Sequence, residues 1–87
     1  SALYINVLAL DTALASAAAS AAVSIDVASA TGVAVGDVVG INLDNRDTHW
    51  TTVSSVAGAT LGLTSPMPSA AASGSRAVLN RWATATF

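Results

Sequence analysis

From Val23 onward, apolar and polar residues alternate in short runs, and glycine, proline or a polar cluster cuts each run within about ten residues. Val23-Ser24-Ile25-Asp26-Val27 has the period of two that marks a half-buried strand. Val38 to Leu43 repeats it, with Val39, Ile41 and Leu43 on one face. His49 to Val56 is rich in strand-forming Thr, Val and Trp. Thr60 to Thr64 comes next, with Leu61 and Leu63 facing together, and Pro66 and Pro68 end that run because proline cannot donate to a ladder. A last strand is expected around Ala77 to Trp82. The breaks fall at Ala28–Gly32, Gly36-Asp37, Asp44–Asp47, Ala57–Ala59 and Ser69–Ser75.

Upstream the pattern is weaker. Residues 3–10, LYINVLAL, are apolar except Asn6, and their length and periodicity fit either a buried strand or the start of a helix. Residues 12–22, TALASAAASAA, combine the best helix former with a face that would anchor weakly. A short helix and an irregular connector are both open there. The expected fold is therefore all-β: a compact small barrel or sandwich of five to six short antiparallel strands over 23–87, preceded by a strand and Ala/Ser connector over 1–22, together one domain.

Three stretches invite chemistry. Gly32, Gly36 and Gly40 do not have the G-x-G-x-x-G spacing of a dinucleotide loop, the residues after Gly40 are strand-like, and a chain without lysine cannot build a Walker A loop. They are expected to be punctuation, with Asp37 bonding a turn's backbone. The cluster Asp44-Asn45-Arg46-Asp47-Thr48-His49 carries oxygen and nitrogen donors but lacks the EF-hand pattern and a second histidine, so a solvated hairpin tip with a local Arg46 ion pair is expected and no metal or cofactor. His49 is the lone histidine, with no G-x-S-x-G elbow to serve, and Asp44 and Asp47 share one short turn. No enzymatic role is expected. Trp50 and Trp82 are expected to be core or interface anchors, and Arg76 and Arg81 join them as interface candidates.

Charge sharpens this picture. Five aspartates and three arginines make up only 9% of the 87 residues, against about 25% in an average soluble domain. So uncharged a surface suits burial against other protein. Three scattered arginines cannot form a nucleic-acid-binding stripe, and no apolar run approaches the roughly 20 residues of a membrane-spanning helix. Without cysteine there is no disulfide framework.

Residues 27–78 carry a more specific pattern. A strand ending V-A-S leads to the turn G-V-A-V-G-D and the strand V-V-G-I-N-L-D. Then come H-W-T-T-V-S-S-V, G-A-T-L-G-L-T and A-A-A-S-G-S-R-A-V. This resembles a small β module of bacteriophage virion proteins, of the tail and head–tail component type. The resemblance implies a non-enzymatic structural domain of the virion, in a tail tube, nozzle or connector. Its partners would be other virion subunits in a symmetric homo-oligomer, and the chain would be a segment of a longer polypeptide. The alternatives are a capsid decoration protein, or an all-β carbohydrate- or receptor-binding module using Trp50 and the Asp44–Asp47 turn.

Overall fold

Six strands form in chain order: β1 (Ala2–Ala13), β2 (Ser24–Asp26), β3 (Val38–Asn42), β4 (Thr48–Ala57), β5 (Thr60–Leu63) and β6 (Arg76–Thr86). The structure, a computed structural model, describes the backbone of residues 2–86 and the side chains of residues 7–81. All pairings are antiparallel, in the order β1-β6-β3-β4-β5-β2, and the described residues contain no helix. The expected all-β architecture is the observed one.

The two outer strands of that order meet. Leu14, just past β1, bridges Val27, just past β2; the Ala15 amide donates to the Asp26 carbonyl at 2.8 Å and the Ala28 amide to the Ala13 carbonyl at 2.9 Å. The sheet thereby closes into a barrel and hides its edges along this seam. The alternation seen in the sequence faces the barrel axis: Ile25, Val27, Val39, Ile41, Leu43, Val53, Leu61, Leu63, Ala77 and Leu79 are all buried. Val23 breaks the rule. It precedes β2 and is exposed, contributing its carbonyl to the Leu63 amide rather than a side chain to the core.

Turn chemistry fixes the registers. Gly58 and Ala59 make a two-residue link between β4 and β5, and Gly58 at φ 61° takes the left-handed position that such a hairpin requires. The β3–β4 link is a three-residue loop, Asp44-Asn45-Arg46. The Arg46 amide donates to the Leu43 carbonyl and the Leu43 amide to the Asp47 carbonyl, which leaves Arg46 itself at φ 74°. Glycine normally holds that last position. In β4, Ser54 is an extra residue opposite the Gly62–Leu63 step, and Gly62 gives room to the crowded hydroxyls of Ser54 and Ser55.

The Ala/Ser tract is the irregular connector of the two readings left open, with isolated bridges at Leu14 and Ala18 and a turn in which Ala21 stands at φ 70° and the Ala22 amide donates to the Ala19 carbonyl. Ala18 exchanges both backbone hydrogen bonds with Ala71, the Ala21 amide donates to the Met67 carbonyl, and the Met67 amide donates to the Ala22 carbonyl. Alanine's helix propensity yields here to tertiary pairing: small side chains let this segment lie along residues 63–71, burying Ala18, Ala71 and Met67.

β6 lies between β1 and β3, but β3 accompanies it only over Ala77–Asn80. Beyond that point, β6 pairs with β1 alone, down to Ala2 opposite Thr86. At about 3.3 Å per residue this two-stranded ribbon runs on for about 20 Å past the β3 contact, and the molecule measures 44 × 26 × 19 Å.

Candidate functional site

The densest electrostatic site lies where the ribbon leaves the barrel. Asp37 is buried, and Arg81 grips it with two bonds, Nε to Oδ1 at 2.8 Å and Nη2 to Oδ2 at 2.7 Å; Nη2 also reaches the Gly32 carbonyl at 2.7 Å. The Ala34 amide adds a bond to Oδ2 at 2.9 Å. The Arg81 hydrogen bonds hold the Asp37 carboxyl below its ordinary range against the opposing effect of burial, and the Ala34 amide and the Arg81 charge reinforce them. Arg81 is correspondingly raised, chiefly by its bonds to Asp37. The bonding of Asp37 to its turn was expected. Its partner 44 residues away carries no local signal in the sequence.

Arg76 makes a similar fork with Asp11 across β6 and β1, at 3.0 and 2.7 Å, and both side chains stay largely exposed. The Arg76 hydrogen bonds lower the Asp11 carboxyl and those to Asp11 raise Arg76. Both arginines singled out as interface candidates are thus engaged within the chain.

The polar cluster at the β3–β4 turn disperses. Asp44 Oδ1 accepts from the Ala72 amide at 3.0 Å, Asn45 Oδ1 accepts from the Asp47 amide at 3.0 Å, and His49 Nε2 lies 3.1 Å from the Ser65 carbonyl oxygen. The expected ion pair of Arg46 does not form among the described residues; the loop consumes Asp44 and Asn45 in backbone bonds and places Arg46 at its exposed αL position. No three acidic or imidazole groups converge on one point among the described residues, and no cleft there encloses a ligand.

Trp50 is not a core residue: it is 58% exposed on the outer wall. It sits directly opposite Gly40. A Cβ on Gly40 would fall 2.5 Å from Cζ3, 2.6 Å from Cη2 and 2.8 Å from Cε3, so the six-membered ring of the indole lies on the bare backbone of β3. Gly32 and Gly36 are turn residues at φ 82° and 94°, as expected, but Gly40 is not punctuation. It is an interior strand residue whose missing side chain seats an aromatic ring. The same row continues through Val78 to Asp11, and neighbouring outward positions hold Val38, Asn42, Thr48, Thr52 and Asn80. Trp82, the other aromatic candidate, has its backbone in β6 opposite Asn6, and its side chain lies outside the described residues.

The chain matches no protein family model and no curated protein. Among solved structures it is similar to the tailspike of Acinetobacter baumannii bacteriophage AP22, determined in complex with A. baumannii capsular saccharide, with a TM-score of 0.58 and 20% identity. The match covers 93% of this chain and 15% of the tailspike chain, so the small barrel is a fold that a phage tailspike also contains as a minor part of its length.

Proposed function

We propose that this barrel is a non-enzymatic structural domain of a bacteriophage particle, carried by a tail component on a two-stranded stalk. The observation that carries the reading is the ribbon: β1 and β6 leave the barrel side by side and stay paired to Ala2 and Thr86. A host chain can enter and leave such a module at one point without rearrangement, the condition under which domain insertion is tolerated. The tailspike's use of a similar fold as 15% of its chain supports a place in a larger tail polypeptide, and favours a spike over a tube, nozzle or connector.

Surface electrostatics support burial in an assembly. Four of the eight charged side chains neutralise one another in the pairs Arg76–Asp11 and Arg81–Asp37. Asp26 accepts from Ser16 and Thr60, and Asp44 from a backbone amide. Asp26, Asp44, Arg46 and Asp47 alone stand outside these pairs, so a docking subunit has few charges to match or desolvate.

Peptide mapping of gradient-purified particles tests the reading. Peptides of this sequence in the particle band, joined to residues of a larger tail polypeptide, are the expected result. Recovery only as a free chain in the soluble fraction overturns it.

A further inference from the structure

We propose that the outer wall around Trp50 is a saccharide-binding platform, with the indole as its stacking surface and Asn42, Asn80, Asp11 and Arg76 as its hydrogen-bonding rim.

The indole is held flat. Its inner face rests on Gly40, where any side chain would collide with it, and its outer face is open on a residue 58% exposed. Gly40 sits in an ordinary strand and needs no unusual backbone angle, so space for the ring is what glycine provides there. A large aromatic seated with one face free is an amphipathic surface, apolar and electron-rich. The C–H face of a pyranose ring stacks on such a surface, as bases stack on aromatic platforms.

The register supplies the rest. The row through Trp50 runs Gly40, Val78, Asp11 across β3, β6 and β1. The next row on one side holds Thr52, Val38 and Asn80; on the other, Thr48 faces Asn42, and Arg76 stands one step from Val78 and bonds to Asp11. Two amides and a forked carboxylate–guanidinium pair, all planar, therefore lie on the same wall, one to three strands across from Trp50 on its β3 side, and offer donors and acceptors to hydroxyls along an extended saccharide. The Asp11–Arg76 pair cancels its own charge, which suits an uncharged polyol and not a polyanion; Arg46, on the loop beyond Asn42 and Thr48, is the single arginine outside an ion pair among the described residues, too little positive charge for a phosphate backbone.

Composition separates a sugar from a protein partner. Trp50 and Leu8 are the large apolar side chains exposed on this wall, at 58% and 57%, with Val38 and Val78 half-buried between them. The core of a protein interface is depleted of charged residues, whereas this wall carries the Asp11–Arg76 pair and two amides. No cleft opens on the wall among the described residues, so affinity per site is expected to be modest and to rise with repetition along a polysaccharide.

The test is a printed array of neutral bacterial surface oligosaccharides probed with the intact chain, followed by fluorescence titration of the best binder. Binding by the wild type is expected, with a loss of at least about tenfold in Trp50→Ala, retention in Trp50→Phe, and weakening in Asn42→Ala. Asn42 is exposed, so that variant keeps the test decisive if Trp50→Ala does not fold. A wild type that binds nothing on the array overturns the proposal, as does binding indifferent to Trp50→Ala and Asn42→Ala. A self-association in sedimentation equilibrium that Trp50→Ala abolishes also overturns it, by assigning the wall to a second copy of the chain.

Discussion

Replacing Gly40 by alanine should have opposite consequences depending on whether Trp50 is present. In the wild type, the added Cβ would lie 2.5–2.8 Å from three ring carbons of the indole. The ring cannot tolerate that and must lift from the strand; overpacking of this kind costs about 1–3 kcal/mol. Against it stands the gain from replacing glycine in a strand interior, about 0.5–1 kcal/mol. The net loss should lie between about 0 and 2.5 kcal/mol, and for a domain of this size each kcal/mol lowers Tm by about 4–8 °C. In a Trp50→Ala background the collision disappears while the backbone gain remains, so Gly40→Ala should stabilise by about 0.5–1 kcal/mol. The difference between the two backgrounds, about 1–3 kcal/mol, is the coupling energy of the pair. Urea titrations followed by far-UV circular dichroism measure it without depending on the fluorophore that the cycle removes. Equal effects of Gly40→Ala in both backgrounds would show that the indole is not what excludes a side chain at this position.

Acid should weaken the fold through Asp37. Its folded pKa is depressed, so the stability it contributes is complete above the ordinary carboxylate value near 4 and is lost as pH falls through the lower folded value. Urea midpoints should drop below about pH 4 in the wild type and more shallowly in Asp37→Asn; parallel curves would remove the Arg81 pair as the cause. Arg46→Gly relieves a left-handed backbone at φ 74° and should raise stability by about 1 kcal/mol, read as a higher Tm; a lowered Tm would contradict the loop assignment. Ile41→Ala empties a position with no solvent exposure and should cost about 2–5 kcal/mol, comparable to what a small single core supplies. A collapse of amide proton dispersion in its NMR spectrum is the expected outcome, and a native-like spectrum would refute the packing argument.

The barrel's inner wall was legible because its signal is local. Val39-x-Ile41-x-Leu43 and Leu61-x-Leu63 face the core in the register that alternation dictates. The turns were legible for the same reason, since Gly36 and Gly58 stand where the chain needs a positive φ. The first strand was ambiguous because an apolar run has no period to measure. The Ala/Ser tract defeated propensity because its conformation is set by the backbone of residues 63–71. Pairs distant in the chain left no trace at all. Nothing near Asp37 announces Arg81, nothing near Gly40 announces Trp50, and the closure at Leu14 and Val27 rests on a single bridge between segments that look like loops. The candidate surface was half visible: Trp50 stood out by its rarity, whereas Asp11, Asn42 and Asn80 became its neighbours only through strand order.

The position of β6 also governs when this barrel can come into being. The last strand of this barrel to leave the ribosome is an inner strand of the sheet, flanked by β1 on one side and β3 on the other. The meander β3-β4-β5, with β2 added along β5, can assemble while synthesis continues, but β1 has no mate until Arg76 and the residues after it have emerged. Until then the nascent chain holds an unpaired first strand and an open β3 edge, both exposed to capture by neighbouring chains. Completion must therefore await release of the whole module from the exit tunnel. The slow step is the joining of segments more than sixty residues apart.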